Sequence, residues 1–337
     1  MFLSLTQIKK NQMPDQKVLE WLLEGDVSIQ YQTYKHLLGV NKPDLKDRIA
    51  TEGWGAQFLA KRNKNGHWGR GFYQPKWISS HYTLLDLKHL SISNEIPEAT
   101  LTIEKILQER KSHDGGVNPG KTIKNSDVCV NGMFLNYASY FKAKQDDLKS
   151  IIDFILSQQL PDGGFNCHFN RIGAQHSSLH STLSVIEGIL EYTKNGYDYR
   201  LGELQKAEKE SREFILLHRL FKSHTTGKII SNRMLKLSWP SRWYYDILKS
   251  LDYFRDAGVG YDERMRDAID ILLKKQRKDK TWPLQQKHSG LTHFDMEKTG
   301  EPGRWNTLRA LRVLGHFGIE GQVKNYLHLE SRTYNRI

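Results

Sequence analysis

Cysteine is scarce: Cys129 and Cys167 are the only two in 337 residues. Two thiols cannot form a disulfide framework, so the stability of a chain this long must come from a buried apolar core. Nor is there a run near the roughly eighteen uninterrupted apolar residues that a membrane-crossing helix needs. The first thirty residues lack the continuous apolar core of a signal peptide, and the expectation is a cytoplasmic protein. Strand-like alternation is nearly absent, which argues against a β fold. No Pro/Ser/Gly-rich stretch interrupts the chain, so residues 1–337 read as one domain. Acidic residues are outnumbered, 38 Asp and Glu against 50 Lys and Arg, a formal charge of +12. Such a balance suits diphosphates, acidic lipid surfaces or nucleic acid, and equally a solvated basic surface. The cations are scattered and no nucleic-acid-binding signature is present, so nucleic acid is not expected. Peripheral membrane contact stays open, and no partner subunit can be inferred.

What is present is repetition. Five times a polar or Gly-bearing turn leads from one apolar helix into another, in residues 58–87, 106–135, 154–186, 214–248 and 272–311. Aligning the second-helix starts puts His81, Cys129, His180, Trp243 and Trp305 in one column, 48, 51, 63 and 62 residues apart. Periods in this range mean an array of similar units. The apolar spacing is helical, as in Ile151, Ile152, Ile155 and Leu156, and Asp114-Gly115-Gly116 and Asp162-Gly163-Gly164 supply turns past helix ends. An additional hairpin precedes the five, with Thr33 in phase with Thr83. The expectation is all-α: inner helices near 28–38, 79–90, 127–141, 178–192, 241–254 and 304–317, and outer helices near 15–24, 44–62, 98–110, 147–158, 203–218 and 263–276. A short helix near 319–328 would pack outside. Six hairpins can close into a ring, with an open solenoid as the alternative.

The apolar helix ending in Gln before a DGGF turn (FILSQQLPDGGF, 154–165) and the fifty-residue period resemble the terpenoid cyclase and protein prenyltransferase β-subunit superfamily. That resemblance implies an α/α toroid of six helical hairpins, and it is specific for fold more than for reaction. The segment GKTIKNSDVCVNG (120–132) is similar to the β subunits in particular. The likeness implies that Lys121 and Lys124 hold a prenyl diphosphate while Asp127, Cys129 and His180 bind zinc and act in catalysis. Three ligands of this kind leave one tetrahedral position for a substrate thiol, which zinc would deprotonate. The reading is then prenyl transfer to a small acceptor, with zinc as cofactor. Aromatic residues of the inner wall, Tyr82, Trp243 and Trp305, together with His81, would line an isoprenoid channel and attract cationic carbon. Arg242 and Arg304, each followed by Trp, would clamp an anion at the cavity rim. Val130 stands where the β subunits often have an aromatic residue, which makes a protein acceptor doubtful.

Other readings stay open. Asp127 could protonate an alkene or epoxide as in class II terpene cyclases, although nearby lysines oppose a protonated carboxyl. Six-hairpin toroids also host glycosidases, which need two facing carboxylates, and Asp86, Asp127, Glu187, Asp246, Asp295 and Glu297 supply candidates. A non-catalytic ring that holds an acidic partner is the remaining alternative. Asp127 is also a good helix cap, Cys129 a good small core residue, and the Trp of each Arg-Trp pair a natural plug between neighbours. Cys167, His168 and His176 form a further cluster in the loop after DGGF.

Overall fold

The structure is a computed structural model that describes residues 15–120 and 123–319. Its described residues are helical with no strand, only isolated β-bridges. Lys121 and the helix expected near 319–328 lie outside the described residues, save for Ile319.

Two kinds of helix follow from two kinds of sequence. The outer ones are α1 (Gln16–Leu23), α3 (Pro43–Arg48) with α4 (Gly53–Ala60), α6 (Pro97–Arg110), α8 (Gln145–Ser157), α11 (Leu201–Leu217) and α13 (Arg266–Lys274). These are amphipathic: in α8 the apolar stripe of Leu148, Ile151, Ile152 and Ile155 is buried while the first turn is acidic, a charge that suits a helix N-terminus. The inner helices are α2 (Val27–His36), α5 (Ser80–His89), α7 (Val128–Tyr140), α10 (Leu179–Lys194), α12 (Ile247–Asp256) and α14 (Arg304–His316). They are buried nearly all round; in α7 every residue from Val130 to Ser139 is buried. A helix covered on every side must be largely apolar and free of charge, and VCVNGMFLNYASY carries no charged residue.

One device recurs in the units. A hydrogen-bonding side chain in the first turn of an inner helix grips the backbone of the preceding turn: Asn131 takes Val117 N at 2.7 Å, Thr182 takes Phe165 N at 3.0 Å, and Thr307 takes Trp282 N at 2.9 Å. The DGG aspartates do the rest. Asp114 accepts from Ser126 N at 2.7 Å and Asp162 from Ser177 N at 2.8 Å, so each ties its turn to the start of the next inner helix. Gly115 and Gly163 both sit at φ +87°, where a side chain is strained.

The inner helices meet in cyclic order. Gln32 of α2 donates to His89 O of α5, and His81 of α5 meets the hydroxyl of Tyr137 of α7. Helices α7 and α10 touch backbone to backbone: a Cβ on Gly132 would lie 2.6 Å from Val185 Cα, and one on Gly188 2.3 Å from Gly132 O. Lys249 of α12 pairs with Glu187 of α10 at 3.1 Å, Arg309 of α14 with Asp252 of α12 at 3.2 Å, and Arg312 of α14 returns to Gln32 of α2 at 3.2 Å. That closed neighbour order is what a toroid requires. On the axis Trp239 and Trp305 stack, with ring centroids 4.4 Å apart.

Two expected helices differ. The second outer segment breaks into α3 and α4 because Gly53 takes φ +59° and Asp26, the N-cap of α2, accepts Trp54 N at 2.8 Å and starts a new helix there. The fifth inner helix begins at Ile247 rather than 241: Asp246 caps it by accepting Lys249 N at 2.8 Å, and Arg242 sits at φ +55° in the turn before. Trp243 is therefore in that turn, and Leu248 takes its place in the column.

Candidate functional site

The first turns of α5, α7 and α10, with the loops around them, form one end of the ring, called the mouth here. Asp127 precedes α7, and its carboxylate pairs with Arg171 of the short helix α9 (Phe169–Ile172). The other carboxylate oxygen, Oδ1, is buried without a partner. Burial pushes this carboxyl up, and the Arg171 guanidinium only partly opposes the rise. Cys129 faces Cys167. The hydrogen bond between the two thiols, together with burial, holds Cys129 above the ordinary thiol range, while the same bond draws Cys167 down.

Lys76 lies above two indoles, 4.8 Å from the ring centre of Trp77 and 4.9 Å from that of Trp243. Burial lowers its pKa; Cys129, Asp127 and Cys167 are close enough to oppose that. Trp77 in turn packs on Tyr82 at 4.9 Å, and Trp243 stacks on Tyr244 at 3.9 Å. Tyr82 and Tyr73 share a hydroxyl hydrogen bond of 3.0 Å. The result is a cation held against an aromatic wall beside one carboxyl and two thiols.

His180 meets this group through Trp243. Its Nδ1 accepts the backbone N–H of Tyr245 at 2.8 Å, and its ring packs on Trp243. Burial, with Lys249 and Arg233 adding to it, brings its pKa down to about 4. A neutral ring whose Nδ1 accepts carries its hydrogen on Nε2, so neither nitrogen offers a free lone pair. Among the described residues no three His, Cys, Asp or Glu side chains form a group that could hold a metal ion. Asp127 pairs through one oxygen with Arg171, Cys129 with Cys167 and His180 with Tyr245, so the three expected donors are not gathered into one group.

The remaining expected residues are dispersed. Lys124 is exposed. His81 is fully buried, near the hydroxyl of Tyr137, and burial lowers its pKa to about 3. Arg242 is buried over Trp77 at 4.7 Å and 3.8 Å from Asp86 rather than at a rim. Arg304 points outward, donating to Trp21 O at 2.9 Å and covering the Trp21 ring. Trp305 is buried and stacks on Trp239. Of the carboxylates, Glu187 is paired with Lys249, Asp246 is a helix cap and Asp295 meets Lys287 at 2.9 Å. Asp86 differs: both its oxygens are buried without a hydrogen bond, and burial raises it to about 7 against the pull of Arg242.

Reasoning from the sequence missed Lys76, Tyr73 and Arg171. The first two lie just ahead of an inner helix in a run of aromatics, GFYQPKW, a signal of composition alone; Arg171 had none. No protein-family model matches the chain, and no curated protein matches it.

Proposed function

We propose that the protein is an isoprenoid-processing enzyme whose substrate is a prenyl diphosphate bound at the mouth. The observation that carries this reading is the position of the Lys76 ammonium between Trp77 and Trp243. A prenyl diphosphate needs a cation for its head and an aromatic surface for its tail, and an allylic cation formed from it is attracted to ring faces. Lys76 would stabilise charge on the departing diphosphate, while Trp77, Tyr82 and Trp243 would line the tail. The transfer is to a small acceptor, and no step is assigned to zinc because Asp127, Cys129 and His180 are not gathered into one group. The cavities of about 100 and 120 Å³ inside the ring are small for such a tail, so the reading places it along the mouth.

Titration of the tryptophan fluorescence tests this. Farnesyl diphosphate is expected to bind saturably, inorganic diphosphate and farnesol each more weakly, and Lys76→Met to weaken the first by about tenfold, the worth of one charge-assisted contact of about 1.4 kcal/mol. Absence of saturable binding, or an unchanged affinity in Lys76→Met, would refute it.

A second reading has an observation of its own: the unpartnered, buried Oδ1 of Asp127 and the upward push on that carboxyl. These suit a general acid that protonates an alkene, with cyclisation instead of transfer. Asp127→Asn would then abolish turnover of a polyprene while leaving its binding intact.

A further inference from the structure

Beneath residues 286–302 lies a cavity of about 120 Å³, walled on the other side by Trp239, Pro240 and Arg242. Three N–H groups on its lining residues make no hydrogen bond of ordinary geometry: Nε1 of Trp239, Nε of Arg242 and Nε2 of His288, whose ring also lies near the Ser241 backbone carbonyl. Trp239 is 7% exposed and the Arg242 side chain 6%. A buried donor left unpaired costs about 1–3 kcal/mol, and folded proteins pair nearly all of them. Three on one small cavity call for an acceptor.

The remaining bonds of these residues fix what the acceptor can be. His288 has its Nδ1 3.4 Å from the side-chain amide of Gln286, which leaves the ring hydrogen on Nε2, and its face stacks on Tyr244 at 3.8 Å. Arg242 rests on Trp77, and its distance of 3.8 Å from Asp86 is too long for a hydrogen bond. Trp239 is fixed by its stack on Trp305. Of the carboxyls that line the cavity, Asp295 is paired with Lys287, and Glu297 spends Oε1 on the backbone N–H groups of Arg304 and Trp305 at 2.6 and 3.3 Å. Its Oε2 is buried and unpartnered, and burial raises this carboxyl to about 7, so near neutrality it is partly protonated and a donor too. The complement is a compact group made only of acceptors.

The segment above is seated as a cover. Trp77 donates from Nε1 to Ser289 O at 2.6 Å, Thr83 meets His293 Nε2 at 2.9 Å, and a Cβ on Gly290 would lie 2.5 Å from the Trp77 indole. A loop of this length without helix or strand is uncommon inside a domain and is usually functional.

We propose that this cavity is a binding site for a small oxyanion, a carboxylate or phosphate group whose oxygens accept from Trp239, Arg242 and His288. It requires no apolar tail and does not depend on the prenyl diphosphate reading.

The test is a ¹H–¹⁵N titration of the full chain, observing indole N–H resonances, with sodium phosphate in one arm and sodium acetate in the other, against sodium chloride at matched ionic strength. Trp239→Phe assigns the reporter. Its resonance is expected to shift saturably, while those of Trp68 and Trp282 stay still, because their indoles already donate to Phe58 O at 2.7 Å and Leu272 O at 2.8 Å. Response to phosphate alone identifies a phosphate ester as the natural group, and response to acetate alone a carboxylate. Arg242→Gln should abolish the shift; where that variant does not fold, His288→Phe should weaken it by about tenfold, the loss of one charge-assisted or buried hydrogen bond. A Trp239 resonance that follows neither anion beyond the chloride control, or that responds equally in the variants, overturns the site.

Discussion

The two ends of the inner ring handle buried charge in opposite ways. Where the inner helices finish, residues of all six line a cavity of about 100 Å³ whose four carboxylates each meet a cation: Glu187 with Lys249, Glu191 with Lys88, Asp256 with Lys194, and Asp252 with Arg255, Arg309 and Arg312. Toward the other end, Asp86 and one oxygen each of Asp127 and Glu297 are buried with no hydrogen bond. Burial acts upward on carboxyls at both ends, so the difference lies in the partners. Three guanidiniums overcome burial and hold Asp252 well below the carboxylate range, whereas Arg242 at 3.8 Å leaves Asp86 at about 7. One end pairs its carboxylates with cations; the other leaves carboxyl oxygens without a hydrogen bond.

The sharpest way to break that contrast is to remove the centre of the satisfied network. Asp252→Ala leaves three guanidiniums around an empty site and should cost about 3–5 kcal/mol in urea unfolding, the usual loss when one member of a buried pair is deleted. The pH dependence has a definite sign. Because the folded pKa of Asp252 is depressed, its contribution is present above the unfolded value near 3.9 and disappears as pH falls below it toward the folded value.

Asp86 should behave in the reverse sense. Its folded pKa of about 7 lies above the unfolded value, so the fold favours the protonated form, and stability is lost as pH rises from about 4 to about 7. Asp86→Asn removes that dependence. Unfolding at pH 5 and pH 8 should show a drop in the parent that the variant lacks, by as much as about 3 kcal/mol, since only the two pH units from 5 to about 7 contribute at about 1.36 kcal/mol each. An equal drop in both would mean that Asp86 is ionised in the folded protein, and the contrast between the ends would fail.

The two ends are held at fixed separation by α7 and α10, which run between them. Gly132→Ala forces a Cβ to within 2.6 Å of Val185 Cα, against backbone that cannot turn aside. Overpacking of this kind should destabilise by about 1–3 kcal/mol in urea unfolding. If the variant unfolds like the parent, the seam is more compliant than its contacts imply.

Much of the fold was legible because helix periodicity is local. The third inner helix was expected at 127–141 and runs Val128–Tyr140; the fourth was expected at 178–192 and runs Leu179–Lys194. What failed was decided across the ring. The break at Gly53 depends on Asp26, and the late start of α12 depends on a turn that only Asp246 and Ser238 explain, joined at 2.7 Å. At the site, Asp127 and Cys129 both lie at the start of α7, with Tyr82 and Trp243 nearby. His180 is not gathered with those two donors, because a backbone N–H sixty-five residues onward occupies its Nδ1. Arg304 and the ion pairs of the far cavity were equally hidden, since no local pattern tells a cation which way it faces.

The smallest expected effect separates two lysines that look alike in the sequence. Lys124 belongs to the spaced basic pair ahead of Asp127, yet it is exposed; Lys76 belongs to no motif and lies between two indoles. A solvated ammonium on a mobile stem gains little from a nearby anion, whereas one fixed on aromatic faces has already given up part of its hydration and its rotamer freedom. Lys124→Ala should therefore change stability by less than about 0.5 kcal/mol and leave farnesyl diphosphate affinity within about twofold of the parent, against about tenfold for Lys76→Met. If the two variants lose affinity equally, the diphosphate is read by the motif and not by the aromatic wall, and the mouth is organised around the loop before α7 instead of the loop before α5.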